Sequence, residues 1–182
     1  MSALNPHSSA PQTRDEVHER LTTYAPPGCA NSVCSMEALV WLLRANSAAH
    51  EALNENLHPY GISLAQYNLL AVLKHVPGFR LPMSEIGARM HVTRTNITKL
   101  ADGLEKAGYL TRVHCADDRR VVYAELSDSA LELMGRIAPM QWKFNELLWS
   151  DLSDKECQTL AHLLCKLESS ILNARHRSEK NA

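Results

Sequence analysis

Apolar and polar residues recur with two different periods along this chain, and the change of period marks its organisation. Ile97, Leu100, Ala101 and Leu104 repeat at helical spacing, which puts them on one buried face of a helix Arg94–Ala107. Gly108 closes that helix. A shorter helix, Met83–Met90, precedes it across a turn His91–Val92–Thr93. Beyond Gly108 the pattern shortens to two strand-like runs, Tyr109–His114 and Val121–Leu126, on either side of Cys115–Arg120. Helix, turn, helix and hairpin in that order predict a winged helix-turn-helix, a shape suited to duplex DNA.

The flanking segments are longer helices. Val33, Met36, Val40, Leu43 and Leu57 fall near helical period, so 33–57 is expected to be one helix, capped by Asn31 or Ser32 and ended by His58–Pro59–Tyr60–Gly61. Ser63 and Gln66 have capping-box spacing and open a helix Leu64–His75, with Leu64, Tyr67, Leu70, Leu73 and Val76 inward and Pro77–Gly78 as the stop. Leu81–Pro82 is expected to start the next helix, because a proline in the first turn gives up an N–H that has no partner there anyway. After the hairpin, Ser127–Asp128 begins a helix to Trp149. Pro139 lies inside it and should kink it, since the ring clashes with the carbonyl of residue 135. Ser153 and Glu156 open a last helix to Ala174, with Cys157, Leu160, Ala161, Leu164, Leu167 and Ile171 on one stripe. The polar tail HRSEKNA is expected to fray.

These elements make the fold class mainly α with a small β-wing. Residues 62–127 form the winged helix-turn-helix. The helices at 33–57 and 128–174 are surplus to its core and are read as dimerisation helices within a domain 31–182, because the last one carries a coiled-coil-like seam. Residues 1–30, rich in Pro, Ser, Thr and Asn, read as a loose extension holding at most one short helix, Thr13–Tyr24, with Thr13 and Glu16 at capping-box spacing.

Composition narrows the picture. The 182 residues carry a net charge of −1 and 45% hydrophobic residues, enough for a core and too little charge for a histone-like coat. Residues 80–127 hold eight Lys/Arg and six Asp/Glu, so the basic excess is small and the pattern carries more weight than the charge. No apolar run reaches the roughly 18 residues of a membrane span, and the first residues lack the layout of a secretion signal; a cytoplasmic protein without membrane contact is expected. Five cysteines show no paired framework and read as free thiols. His162 and Cys165 lie one turn apart, but two ligands do not make a metal site. A phosphate loop, nucleophile elbow, Cys-x-x-Cys and HExxH are all missing from the sequence, so neither enzyme activity nor a cofactor or metal is expected.

With Ile97, Leu100, Ala101 and Leu104 inward, Thr93, Arg94, Thr95, Asn96, Thr98 and Lys99 are left on the outer face. Arg can fork onto guanine, Asn can pair with adenine, and Thr can meet a thymine methyl or a phosphate. At the wing tip, Arg120 should enter the minor groove, where a narrow groove concentrates negative potential. Asp118 should accept the hydrogen bonds that fix the arginine's geometry, and Arg119 should meet the backbone or a carboxylate. A winged helix that binds protein instead of DNA would have no use for Arg120 or the polar outer face.

The run LPMSEIGARMHVTRTNITKLADGLEKAGYLTRVHCADDRRVVYAELSD resembles the MarR (multiple antibiotic resistance regulator) family of bacterial transcription factors. It shares the family's reading-helix grammar, ITKLADGLEKAGYL, and its wing tip Asp118-Arg119-Arg120 with Leu126-Ser127 after it. The helix order matches over about 33–174. The resemblance implies a homodimer on a near-palindromic double-stranded operator, acting as a repressor and released by a small, often aromatic and anionic, effector. Candidate effector contacts are Met36, Trp41, Arg44, His50 and Tyr67, with Arg44 pairing a carboxylate and Trp41 or Tyr67 stacking on a ring. Some relatives sense oxidants through a cysteine in the first helix; here Cys34 is the candidate, although the matching position falls nearer Leu39. A urate-sensing subgroup uses a Trp in its extension and an Asp in the second helix. This extension has no Trp and the matching residue is Asn68, so urate sensing is not implied.

Overall fold

The computed structural model describes residues 13–29, 32–116, 118 and 120–180. Their contacts cluster into two units, Met1–Leu53 and Asn54–Ala182.

In the first unit, α1 (Arg14–Tyr24) starts at the expected capping box. The Thr13 side chain accepts from the Glu16 N–H, and Glu16 reaches back to the Thr13 N–H. The long α2 (Val33–Leu57) occupies the predicted span. The proposed cap Asn31 and residues 1–12 of the extension lie outside the described residues. Along the apolar stripe of α2, Val33 and Leu57 are buried, while Met36 and Leu43 are exposed, together with Leu39. A helical period identifies an apolar face; it does not say whether the same chain covers it. The buried residue that the pattern missed is Glu37. Its carboxylate, 6% exposed, receives Arg14 Nε at 2.7 Å and lies 2.8 Å from His18 Nδ1.

The second unit holds the winged helix-turn-helix and the last two helices. Ser63 and Gln66 form the capping box that opens α3 (Leu64–Lys74), and the Asn54 side chain takes the Leu64 N–H. The helix-turn-helix is α4 (Met83–Arg89) and α5 (Arg94–Lys106). Strands β2 (Leu110–His114) and β3 (Val122–Leu126) form the hairpin, with Leu110 opposite Leu126 and His114 opposite Val122.

One element departs from the prediction. Leu81–Pro82 does not begin a helix; it belongs to β1 (Arg80–Pro82), antiparallel to β3, with Arg80 opposite Glu125 and Pro82 opposite Tyr123. The sheet order β1-β3-β2 puts β1 at an edge. A proline without a donor is tolerated there, and the residue before it is held extended. Pro82 then becomes the residue from which α4 starts.

Ser127 caps α6 (Asp128–Leu148), which runs through Pro139 as one helix. The last helix, α7 (Asp154–Lys180), extends past the predicted end at Ala174. Arg175–Lys180 includes no Gly or Pro, and Arg, Glu and Lys sustain a helix well. Ser153 and Glu156 cap it with reciprocal hydrogen bonds, which hold the Glu156 carboxyl below its usual range.

The core of this unit gathers Leu57, Leu69, Leu70 and Leu73 against Ile86, Ile97, Ala101 and Leu104, with Leu110 and Ala124 from the hairpin and Leu133 and Ile137 from α6. The helices α3 and α5 approach closely at Gly103, where a Cβ would stand 2.7 Å from Gln66 Nε2 and the end of that side chain would have to shift.

Candidate nucleic-acid interface

The turn between α4 and α5 is drawn tight by backbone hydrogen bonds. Val92 N donates to the Gly87 carbonyl at 3.0 Å, and His91 takes a left-handed conformation (φ 53°). Thr93 follows as the cap of α5, its hydroxyl accepting from the Asn96 N–H at 3.4 Å. Ile97, Ala101 and Leu104 point into the core. Thr93, Arg94, Thr95, Asn96, Thr98 and Lys99 are all exposed. Thr98 spends its hydroxyl proton on the Arg94 carbonyl at 2.9 Å.

Arg120 is exposed at the wing tip. Its backbone N–H donates to Asp118 Oδ1 at 2.9 Å, and Val121 N donates to the Asp118 carbonyl at 3.0 Å. Asp118 therefore shapes the backbone that presents Arg120, a local turn that aspartate side chains favour. Arg119, the third wing residue singled out above, lies outside the described residues. Arg94, Thr98 and Arg120 open onto one concavity of about 600 Å³ between the helix-turn-helix and the wing, joined there by Arg112 and His114.

Arg112 was not singled out from the sequence. On β2 it faces α5, donating from Nη2 to the Thr98 carbonyl at 3.2 Å and to Asp102 Oδ1. Its Nη1 lies 3.8 Å from Glu105 Oε2. In the sequence it is one of three polar residues in the run Leu110–His114; its carboxylate partners ten and seven residues upstream are brought to it by the fold.

The effector candidates are more dispersed. Met36, Trp41, Arg44 and His50 lie along α2, and Tyr67 lies on α3. The Arg44 guanidinium sits over the Trp41 ring, 4.9 Å from its centroid, so the two residues engage one another. Met36 and His50 are exposed, while Tyr67 packs against the core and burial pushes its phenol pKa up. A separate concavity of about 580 Å³ lies between α3 and α4, lined by Asn68, Ala71, Val72, His75, Arg89 and Met90. Cys34 is exposed in the first turn of α2. No described helix is long and apolar enough to cross a membrane.

A tight turn feeding a polar-faced helix, with a basic hairpin beside it, defines a winged helix-turn-helix DNA-binding protein. Comparison with known proteins carries this further. Residues 60–121 match the MarR family model. The HTH-type transcriptional regulator PapX of Escherichia coli is 34% identical over 125 residues, covering 69% of this chain and 76% of PapX. The transcriptional repressor MprA of Escherichia coli K12 is 31% identical over 118 residues, covering 65% and 67%. Among solved structures, Sco3205, a MarR family transcriptional regulator from Streptomyces coelicolor in complex with DNA, superposes with a TM-score of 0.70 at 26% identity, covering 75% of this chain and 88% of that one. The chain belongs to the MarR family of DNA-binding transcriptional regulators.

Proposed function

We propose that this regulator is a homodimeric repressor that reads a near-palindromic operator and lets go when a small aromatic or anionic effector binds. The observation that carries the reading is the shared concavity: Arg94 and Thr98 on α5 and Arg120 on the wing open onto the same space. One helix can then lie in the major groove while the wing reaches the next minor groove. In this reading Thr93, Arg94, Thr95, Asn96, Thr98 and Lys99 meet base edges and phosphates. The Asp118-Arg119-Arg120 tip grips alongside.

Pairing is supported by uncovered apolar surface. Leu163, Leu164, Leu167, Ile171 and Leu172 are exposed on α7, and Met36, Leu39 and Leu43 on α2. Two chains joined through such faces present two reading helices about one DNA turn apart, and hence read a near-palindrome. Repression follows because a dimer lying over a promoter excludes polymerase without further contacts, and MprA, a relative, is itself a repressor. Such a regulator acts in the cytoplasm, where the DNA is. The α3–α4 concavity supports an anionic effector with an apolar body. Ala71, Val72 and Met90 supply apolar wall beside Arg89 and His75.

A gel shift on the promoter fragments neighbouring the gene tests the reading. Binding should weaken steeply as salt rises, since phosphate contacts release counterions. Arg120→Ala should weaken operator binding at least about tenfold with the dimer intact. An Arg120→Ala protein of unchanged affinity removes the wing from the interface. Benzoate and related aromatic acids should raise the melting temperature, because a ligand of the folded state stabilises it, and should dissociate DNA at the same concentrations.

A further inference from the structure

Asp102 and Glu105 put two negative charges on the reading helix, a poor choice beside phosphates unless they do something else. Both face Arg112. The guanidinium is 24% exposed, while the Asp102 and Glu105 side chains are 46% and 42% exposed. The arginine is thus drawn in between strand and helix, and the carboxylates stay at the edge. Its contacts fall at Thr98, Asp102 and Glu105, one face of α5 over two turns. The Arg112 backbone N–H adds a further bond to Glu105 Oε1 at 3.2 Å. A planar fork can make several such bonds at once from a fixed position; an ammonium group cannot.

The place along the wing matters. At its base, β2 is tied to α5 by the turn Ala107–Tyr109, where Gly108 takes φ 76°. Arg112 is the next attachment, two residues further out than Leu110. One residue further out, Tyr123 on β3 pairs with Pro82 of β1 and lies under the Arg80 guanidinium, and from there the hairpin leads to Arg120. At about 3.3 Å per residue, a small tilt at Arg112 grows into a displacement of several ångströms at the tip.

We propose that Arg112 is a positioning residue of the DNA interface, holding wing and reading helix at one separation through Asp102, Glu105 and the Thr98 carbonyl so that both grooves are engaged together. This rests on the reading above, in which α5 and the wing contact DNA. It makes Asp102 and Glu105 contributors to sequence-specific binding although each repels phosphate.

The sign of one substitution tests it. If charge alone mattered, Asp102→Asn would tighten binding to every duplex. The positioning role requires the opposite for the operator: about tenfold weaker binding to a duplex selected by the wild-type protein from a random pool, with no loss on a scrambled duplex of equal length. Both are read by fluorescence anisotropy. Glu105→Gln, an exposed change on the same bridge, should give a smaller loss of the same sign and serves if Asp102→Asn fails to fold. Arg112→Lys should recover part of the operator affinity that Arg112→Gln loses. Operator binding by Asp102→Asn, or failing that Glu105→Gln, at or above wild-type strength overturns the positioning role while leaving the regulatory reading intact. A wild-type protein that enriches no duplex from the pool overturns both.

Discussion

Ser127 shows how one side chain joins two distant parts of the fold. Its hydroxyl accepts from the Ala130 N–H at 3.2 Å, capping α6, and donates to the Gly108 carbonyl at 2.7 Å, where the chain leaves α5. The first role is legible in the sequence, because a serine before an apolar helical run is a cap signal. The second is not, since Gly108 lies nineteen residues upstream and only the hairpin brings it back. Ser127→Ala should cost about 1–2 kcal/mol by removing the cap, read as a lower urea midpoint with unchanged slope. Arg112 and Glu37 are illegible for a related reason. A charged residue within a strand or helix reads as a solvated point unless the fold supplies its partners.

At the scale of elements, helices with local signals lie where the pattern puts them. Capping boxes at Thr13, Ser63 and Ser153 each open a helix, because the bonds that start a helix span three residues. Strand β1 is the counterexample: three residues give no period, and their extended conformation comes from pairing with β3, more than forty residues away. The α1–α2 pair yields an element-scale prediction. Arg14 and then His18 hydrogen-bond the Glu37 carboxylate and hold its pKa below the usual glutamate range. A depressed carboxylate stabilises the folded form at pH above the ordinary glutamate range. That contribution disappears as pH falls through the lowered value. Protease protection of α1 should therefore be lost in acid solution below the ordinary glutamate range. Glu37→Gln should lose much of that protection already at neutral pH. Protection of α1 in Glu37→Gln equal to wild type at pH 7 would dismiss that role for the Glu37 carboxylate.

At the scale of the molecule, the proposed pairing rests on the exposed apolar faces of α7 and α2. Leu167→Asp puts a charge in the α7 seam. Sedimentation should show monomer at micromolar concentrations, with operator binding reduced at least about a hundredfold because two half-sites can no longer be held together. A Leu167→Asp protein that remains dimeric places the pairing surface elsewhere. The sequence by itself determined the long helices, the inward face of α5 and the hairpin, because each is written in spacings of two to seven residues that short-range bonding and burial enforce. Only the tertiary structure decided that Leu81–Pro82 is strand, that Met36 and Leu43 on α2 are left exposed, that Glu37 is buried, and that Arg112 bridges wing and helix. Those depend on which distant surfaces meet, and a periodicity fixes a face without naming its neighbour.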